Sequence, residues 1–134
     1  MILSTKSDYG LVLLVLLSQI GEKHLSLSEV AKRTGLSLHY LEQIAVILRR
    51  KKIIKSIRGT EGGYKLAHKP SEITLSEIIE ALDGPIAFTK CSIKGFTCKA
   101  VYFCQNIKTW HKLQKKLDKI LEETTLADFV HPVK

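Results

Sequence analysis

The sequence predicts a mainly α-helical fold with a small β-wing, namely a winged helix-turn-helix followed by a long C-terminal helix. Two short helical patterns stand in tandem over residues 26–50, separated by a glycine. Two β-prone runs around a glycine-rich bend follow directly over residues 53–66. An amphipathic pattern covers about residues 102–123. Together, in this order, the three observations are typical of that fold.

The length of 134 residues indicates a single domain, residues 1–134, with enough chain to bury a core. Within it we expect the winged helix-turn-helix over about residues 1–84. A loop is expected over about residues 85–104, and the final helix over about residues 102–123.

The first helix is predicted over about residues 6–20. Its centre, residues 11–17, is apolar all round, which favours burial. This run is far shorter than the roughly 20 residues that a bilayer span needs. It also lacks the charged start and the small-residue cleavage site of a signal peptide. We therefore expect a cytoplasmic protein without a membrane partner.

The next two helices have clear start and stop signals. The pattern Ser26-x-x-Glu29 is typical of a capping box, in which two orphan N–H groups are satisfied. Gly35 suits the left-handed position at a helix end, and Ser37 is the N-cap of the following helix. At about 100° per residue, that helix has an apolar side formed by Leu38, Leu41, Ile44, Ala45 and Leu48.

The opposite side of this helix carries His39, Gln43 and Arg50, with Glu42 on its flank. Such a face suits the major groove of DNA, where Gln can pair with adenine and Glu can accept from the cytosine amino group. An ordinary amphipathic surface helix would show the same pattern. The helix pair alone therefore leaves both interpretations open.

The residues that follow favour DNA binding. Two β-prone runs, residues 53–58 and 64–66, flank the glycine-rich residues 59–63, which predicts a hairpin because glycine accepts positive φ. Arg58 stands at its tip, where it could enter a narrow minor groove. The glycine cluster lacks the Lys-Ser/Thr of a Walker A motif, so a phosphate loop is not expected.

The basic charge is concentrated in this same part of the chain. The net charge is +8, from 21 Lys and Arg and 13 Asp and Glu. Residues 23–70 hold 11 basic and three acidic side chains, a net +8, while the segments before and after them carry −1 and +1. This concentration favours phosphate neutralisation over ordinary solvated charge, so double-stranded DNA is the expected partner.

We expect base contacts in the major groove from His39, Glu42 and Gln43, and a minor-groove contact from Arg58. Phosphate contacts or support of the helix are expected from Tyr40, Arg49, Arg50, Lys51 and Lys55. The hairpin glycines Gly62 and Gly63 are included in the DNA-binding set.

The C-terminal half begins with another capping pattern, Thr74-x-x-Glu77, whose helix is stopped at residues 83–85. Residues 86–101 have no sustained period and are predicted to form a loop, and loops of this length are usually functional or disordered. The final helix carries an apolar stripe formed by Phe103, Ile107, Trp110, Leu113, Leu117, Ile120 and Leu121. This stripe could fold onto its own core or pair with a second copy.

Three cysteines, Cys91, Cys98 and Cys104, follow the spacing Cys-x6-Cys-x5-Cys. Three Cys in an unsecreted chain argue against a disulfide framework. Thiolates are soft ligands that suit iron–sulfur clusters or zinc. The gaps do not match the paired short spacings of zinc fingers, which disfavours zinc held with His111 or Asp8. Three unlinked thiols are the remaining alternative.

Two motifs together carry a family resemblance: LHYLEQ at residues 38–43 and IRG-x-x-GGY at residues 57–64. They resemble the bacterial family of the iron–sulfur cluster regulator IscR, the nitric-oxide-sensitive repressor NsrR and the cysteine-metabolism repressor CymR. The motif LSTK-x-x-YGL at residues 3–11 also matches, and the likeness covers essentially residues 1–130. It implies a dimeric winged-helix transcription factor, with the final helix as dimerisation helix and a pseudo-palindromic promoter site.

The resemblance also implies an iron–sulfur cluster in the loop, because family members with three Cys here bind one. This sequence departs from the IscR pattern, since the first Cys gap is one residue longer and Ile107 replaces a His. His111 would lie about 10 Å along the helix from Cys104 and is a poor fourth ligand. Asp8 occupies the position from which NsrR-like proteins supply a carboxylate across the dimer, although a first-turn acid of a helix explains it too.

We therefore expect three Cys and one oxygen ligand, with a 4Fe–4S cluster rather than 2Fe–2S. The predicted function is a homodimeric DNA-binding transcriptional regulator that senses cluster status, redox state or nitric oxide. The alternative is a regulator of the same fold without a cluster, sensing by thiol oxidation or a partner protein, as the CymR branch implies. The sequence has no nucleophile elbow, metalloprotease helix or paired carboxylates, so neither an enzyme nor a small-molecule substrate is expected.

Overall fold

The computed structural model of this chain describes residues 3–93, 95–97 and 105–131. Its helices are α1 (Thr5–Gln19), α2 (Leu27–Thr34), α3 (Leu38–Arg50), α4 (Leu75–Asp83) and α5 (Ile107–Glu123). Its strands are β1 (Ile54–Ile57) and β2 (Gly63–Leu66), and short 3-10 turns cover Pro70–Glu72, Lys90–Ser92 and Leu126–Phe129. The predicted mainly helical fold with a two-stranded wing is confirmed.

Each of the three middle helices begins at a hydroxyl side chain. The Ser26 hydroxyl accepts the Glu29 N–H at 3.2 Å, and the Ser37 and Thr74 hydroxyls play the same role for α3 and α4. Of the two hydrogen bonds of the predicted capping box at α2, only the one to the Ser26 hydroxyl forms. The Glu29 carboxylate turns to Arg33 Nε at 3.1 Å, because an ion pair at i, i+4 competes for it.

Helix α1 is buried along one side only. Its Leu13, Leu14 and Leu17 side chains are fully buried, but Val12 is 39% exposed. The expectation of burial all round is therefore wrong. The outer side of α1 lines an open cleft of about 320 Å³, to which Phe129 also contributes.

The core lies where α1, α2, α3 and α4 meet the base of the wing. On α3, the predicted apolar side is buried as expected at Leu41, Ile44, Ala45 and Leu48. Leu38 is the exception, with 38% of its surface exposed, because the first turn of α3 projects beyond the core. The buried side fixes the rotation of α3, so its polar side faces outward.

The wing is an antiparallel hairpin that runs from the pair Ile54 and Leu66 to the pair Ile57 and Gly63. A third segment joins it at Leu25, whose N–H donates to the Tyr64 carbonyl at 3.0 Å. The Tyr64 N–H donates back to the Leu25 carbonyl at 2.8 Å. The wing is therefore tied to the link between α1 and α2 as well as to α3.

Helix α5 begins at Ile107, later than the predicted residue 102. Gln105 and Asn106 form a turn, since an Asn side chain favours turns over helix interiors. Along the predicted stripe, Leu113 is 39% and Ile120 59% exposed. Ile107, Trp110, Leu117 and Leu121 are half-buried, and Phe103 lies outside the described residues.

The segment after α5 returns to the core, a position that the sequence pattern does not predict. Leu126 is fully buried, and its N–H donates to the Ile73 carbonyl at 2.8 Å. Thr125 pairs with Thr74 in a single antiparallel bridge. Within the described ranges, no helix is long and apolar enough to cross a membrane.

Candidate nucleic-acid interface and cysteine loop

The outward side of α3 presents three polar side chains on its first two turns. His39, Glu42 and Gln43 are all exposed, and the Nε2 atoms of Gln43 and His39 lie 3.1 Å apart. Imidazole, carboxylate and amide groups are thereby held side by side on a rigid helix. Side chains of these three types are ones that can form hydrogen bonds with base edges in a major groove.

Exposed cations lie at the other end of α3 and on the wing, at Arg49, Arg50, Lys51, Lys55 and Arg58. None of these pairs with an acidic side chain among residues 3–93, 95–97 and 105–131. The ion pairs there join Arg33 to Glu29, Lys65 to Glu22 and Lys119 to Glu123. The cations beside α3 are therefore available to phosphate groups.

Tyr40 is half-buried, and its ring meets that of Tyr9 edge to face at a centroid distance of 5.6 Å. The contact joins α1 to α3. Of the two predicted roles for Tyr40, this position matches support of the helix.

The path from α3 into the wing passes through Lys52, which has a φ of +62°. The Ile53 N–H donates to the Leu48 carbonyl at 3.0 Å, which closes the helix end. A left-handed residue other than glycine costs about 1–2 kcal/mol. The turn redirects the chain so that the wing lies beside α3.

The tip of the wing holds Arg58 exposed, and a side-chain contact fixes the tip from outside the hairpin. His24 Nε2 donates to the Glu61 carbonyl at 2.5 Å. No local signal predicts this bond, because the two residues are far apart in the sequence.

Gly62 and Gly63 have a packing role that is visible from the backbone. A Cβ on Gly63 would overlap the Leu25 carbonyl group, and one on Gly62 would overlap the Ile57 carbonyl oxygen. Gly63 therefore allows the wing to close against the chain before α2, and Gly62 allows the bend of the hairpin to close on its own backbone. Contact of the two glycines with DNA stays a prediction.

Cys91 lies in the Lys90–Ser92 turn and is half-buried. Its Sγ lies 2.9 Å from Thr89 Oγ1. His111 Nε2 donates to the Cys91 carbonyl at 3.1 Å and so ties the turn to α5. Cys98 and Cys104 lie outside the described residues, so the predicted gathering of three thiolates stays a prediction.

Asp8 is exposed on the first turn of α1, at the rim of the cleft that Val12 and Phe129 line. Its carboxylate makes no side-chain hydrogen bond or ion pair with the residues that the structure describes. In this same portion, no three His, Cys, Asp or Glu side chains converge on a metal position. The donor types still fit the predicted group, since Cys91 offers a sulfur beside a hydroxyl and Asp8 a carboxylate without a hydrogen-bond partner among the described residues.

A polar cluster that the sequence did not predict links α4 to α1. The Asp83 carboxylate, at the end of α4, accepts from the Ser7 hydroxyl at 2.6 Å, from the Ser4 N–H at 3.3 Å and from the Ser4 hydroxyl. Partial burial raises the pKa of Asp83, but these hydrogen bonds and the nearby Lys6 outweigh it and hold the pKa below its usual value. These hydrogen bonds hold the start of α1 against the end of α4. The cysteine loop, about residues 85–104, follows directly.

Over residues 3–132 the chain matches the Rrf2 family, which is described as iron-dependent transcriptional regulators. This chain belongs to the Rrf2 family. Among Rrf2 relatives, the HTH-type transcriptional regulator CymR of Bacillus subtilis is 36% identical over 127 residues, which span 94% of this chain and 87% of that protein. The HTH-type transcriptional regulator IscR of Cereibacter sphaeroides is 36% identical over 133 residues, spanning 96% and 86%.

The solved structure of CymR, the global cysteine regulator of B. subtilis, superposes with a TM-score of 0.75 at 35% identity. The superposition covers 96% of this chain and 95% of that one. The predicted family is thereby confirmed. The Rrf2 relatives are transcriptional regulators with a helix-turn-helix, so this chain is a DNA-binding regulator.

Proposed function

We propose that this Rrf2 protein is a homodimeric regulator whose DNA affinity is set by the state of its cysteine loop, through an iron–sulfur cluster. One observation carries the DNA-binding part of the proposal. The polar side of α3, the cations at its end and those of the wing are exposed on adjacent elements, and none of these cations pairs with an acidic side chain among the described residues. Together they make up the proposed DNA-binding surface. Shape and charge on that surface both suit a DNA duplex.

On this surface, His39, Glu42 and Gln43 read base edges in the major groove, while Arg58 enters the minor groove. Phosphates are neutralised by Arg49, Arg50, Lys51 and Lys55. Tyr40 supports α3 through its contact with Tyr9 of α1. Gly62 and Gly63 let the wing approach DNA closely.

The salt dependence of binding tests the phosphate contacts. Arg50→Ala should weaken binding to every duplex and lower the slope of log K against log[salt] by about one. Fluorescence anisotropy with a fixed duplex at four salt concentrations measures this slope. The matched control is Arg33→Ala, because Arg33 is paired with Glu29. An unchanged slope for Arg50→Ala would remove this residue from the interface.

Dimerisation is the second part of the proposal. The exposed Leu113 and Ile120 stand two turns apart on one side of α5, where a second copy would bury them. The dimer would place two α3 helices about one DNA turn apart, on a pseudo-palindromic promoter site. We propose a single domain, residues 1–134, with the winged helix-turn-helix over about 1–84, a cluster-binding loop over about 85–104 and the dimerisation helix over about 102–123.

The third part is the cluster. Cys91, Cys98 and Cys104 would hold it, with the Asp8 carboxylate of a second copy as the fourth ligand. A 4Fe–4S cluster suits this set better than 2Fe–2S, and when bound it supplies sensitivity to oxygen, nitric oxide or iron supply. In support, the Thr89 hydroxyl lies within hydrogen-bond distance of the Cys91 sulfur, and such bonds are known to tune ligating thiolates.

A chain of contacts leads from the loop to the DNA surface. His111 fixes the Cys91 backbone to α5, and Asp83 fixes the end of α4 to Ser4 and Ser7. The Tyr9–Tyr40 contact then joins α1 to α3. A change in the loop therefore has a route to the spacing of the two α3 helices, and DNA must in turn change cluster affinity by the same factor.

Anaerobic purification with iron and sulfide counted per chain tests the cluster. About four of each would support the 4Fe–4S proposal, and about two of each would support 2Fe–2S. Affinities of the loaded and the stripped protein for one promoter duplex then test the coupling. Equal affinities would overturn it.

A second candidate is the same regulator without a cluster, sensing through thiol oxidation or a partner protein. The similarity to CymR, named a global cysteine regulator, favours it, as does the half-buried Cys91 thiol. A colourless protein that resists anaerobic reconstitution would support this candidate. In that case Cys91→Ser should abolish any response of DNA binding to peroxide.

A further inference from the structure

The contact between His39 and Gln43 fixes which hydrogen-bonding groups α3 can offer to a base. The Nε2 atoms of the two side chains lie 3.1 Å apart, one turn apart on the exposed side of α3. An amide nitrogen carries two N–H groups and cannot accept a hydrogen bond. In this arrangement the Gln43 amide therefore donates, the His39 Nε2 accepts, and the imidazole proton resides on Nδ1.

The bond leaves Gln43 with one free N–H and its carbonyl oxygen. In the major groove, adenine presents one acceptor, N7, and one donor, the N6 amino group. Guanine presents two acceptors, N7 and O6. One donor and one acceptor match adenine, whereas at guanine the Gln43 carbonyl oxygen would face O6, and two acceptors repel each other.

We propose that His39 is a specificity-determining residue that acts by occupying one amide hydrogen of Gln43, so that α3 selects adenine over guanine at the base pair that Gln43 contacts. The inference rests on the proposed role of α3 as the DNA-reading helix. His39 also restrains a long exposed side chain, whose rotamer freedom would otherwise be lost on binding DNA.

Removal and replacement of the imidazole separate two predictions. His39→Ala frees both amide hydrogens of Gln43. Because guanine presents two acceptors for them, the preference for adenine over guanine should fall. His39→Lys places a side chain there that only donates. The Gln43 carbonyl would then turn toward Lys, and both N–H groups would face the groove. The preference should shift to guanine.

The experiment uses the full chain. Selection from a random duplex pool with wild-type protein and with Gln43→Ala identifies the base pair whose identity depends on Gln43. Affinities for duplexes with adenine or guanine at that position are then measured by fluorescence anisotropy at one salt concentration. The set contains wild type, His39→Ala, His39→Lys, and both changes combined with Gln43→Ala. His131→Ala is the matched control, because it removes an exposed imidazole elsewhere.

Wild type and His131→Ala should prefer adenine by about tenfold or more. His39→Ala should fall within about threefold of no preference, and His39→Lys should prefer guanine. No preference should remain in either combined variant, since His39 acts through Gln43. An adenine preference that survives in His39→Ala overturns the inference. A guanine preference of His39→Lys that persists when Gln43→Ala is added also overturns it.

The outcomes distinguish this inference from the proposed function. If no duplex is enriched by wild type and the Gln43→Ala change is without effect, α3 does not read DNA and both fail. If a site is selected and depends on Gln43 but not on His39, only the inference fails. Circular dichroism of each variant confirms folding, which the exposed position of His39 should leave intact.

Discussion

The two halves of this molecule are stabilised in different ways. Around α3, four side chains of one helix are buried, and the wing is tied to its surroundings by backbone hydrogen bonds at Leu25 and Tyr64. On α5, Gln114 is the one buried residue of the helix, and Leu113 and Ile120 face solvent. The half that contains α3 and the wing therefore supports itself, whereas the half that contains α5 leaves apolar side chains exposed.

The largest expected effect breaks the self-supporting half. Leu48→Ala should lower the free energy of unfolding by about 2–5 kcal/mol, because Leu48 is fully buried in the core. Urea unfolding at two protein concentrations measures it, and the milder Ile44→Val serves if Leu48→Ala fails to fold. The loss should be the same at both concentrations.

The matched change on α5 is Ile120→Ala. It should lower stability only at protein concentrations where wild type is dimeric, since a partner that binds the folded state stabilises it by mass action. Sedimentation equilibrium should show a weaker dimer. A loss of stability that does not depend on concentration would contradict the contrast between the halves.

The next effect concerns the wing. Gly63→Ala should cost about 1–3 kcal/mol, because its Cβ would overlap the Leu25 backbone, and relief requires the strands to shift. The wing would move away from α2, so DNA affinity should fall as well. Thermal unfolding and anisotropy on the same sample measure both. Gly21→Ala is the comparison, since a Cβ there meets open space and only its positive φ opposes the change. An equal loss of DNA affinity for both variants would argue against a special role of Gly63.

A smaller effect, of opposite sign, is expected at the end of α3. Lys52→Gly should raise the free energy of unfolding by up to about 1 kcal/mol, because glycine adopts the positive φ without strain. DNA affinity should fall slightly through the lost charge. Urea unfolding checks the first expectation, and Lys51→Gly, at a residue with φ of −83°, should destabilise instead.

The smallest effect is expected at Asp83, whose hydrogen bonds join the end of α4 to the start of α1. The pKa of Asp83 is lowered in the folded state, so its carboxylate stabilises the fold at pH values above the ordinary value of about 3.9. That contribution is lost as the pH falls through the folded-state pKa. Asp83→Asn should therefore cost under about 1 kcal/mol at pH 7, because the site is exposed. The difference from wild type should vanish in acid, and a difference that is constant from pH 7 to pH 3 would rule out this role.

What the sequence could predict follows the same division. Helices α2 and α3 and the wing carry their signals locally, in the hydroxyl caps, the apolar period of α3 and the glycine bend. The hydrogen bonds from His24 to Glu61 and from Ser4 and Ser7 to Asp83 join residues that are distant in the chain, so no local sequence pattern predicts them. The exposed Val12 likewise depends on tertiary packing, because an apolar run alone does not show which of its sides is covered. The family resemblance implies Asp8 as a ligand and the Cys spacing predicts Cys91, but spacing says nothing of the His111 bond that fixes the Cys91 backbone.

The bridge between Thr74 and Thr125 makes the C-terminal half a closed ring. The two ends of the segment from residue 74 to residue 125 are hydrogen-bonded to each other, since the Leu75 N–H also donates to the Thr124 carbonyl at 2.8 Å. A protease cut in the cysteine loop would therefore leave α5 attached to the body of the protein. A truncation directly after α5 would instead remove Leu126 and open the ring, although it spares every cysteine.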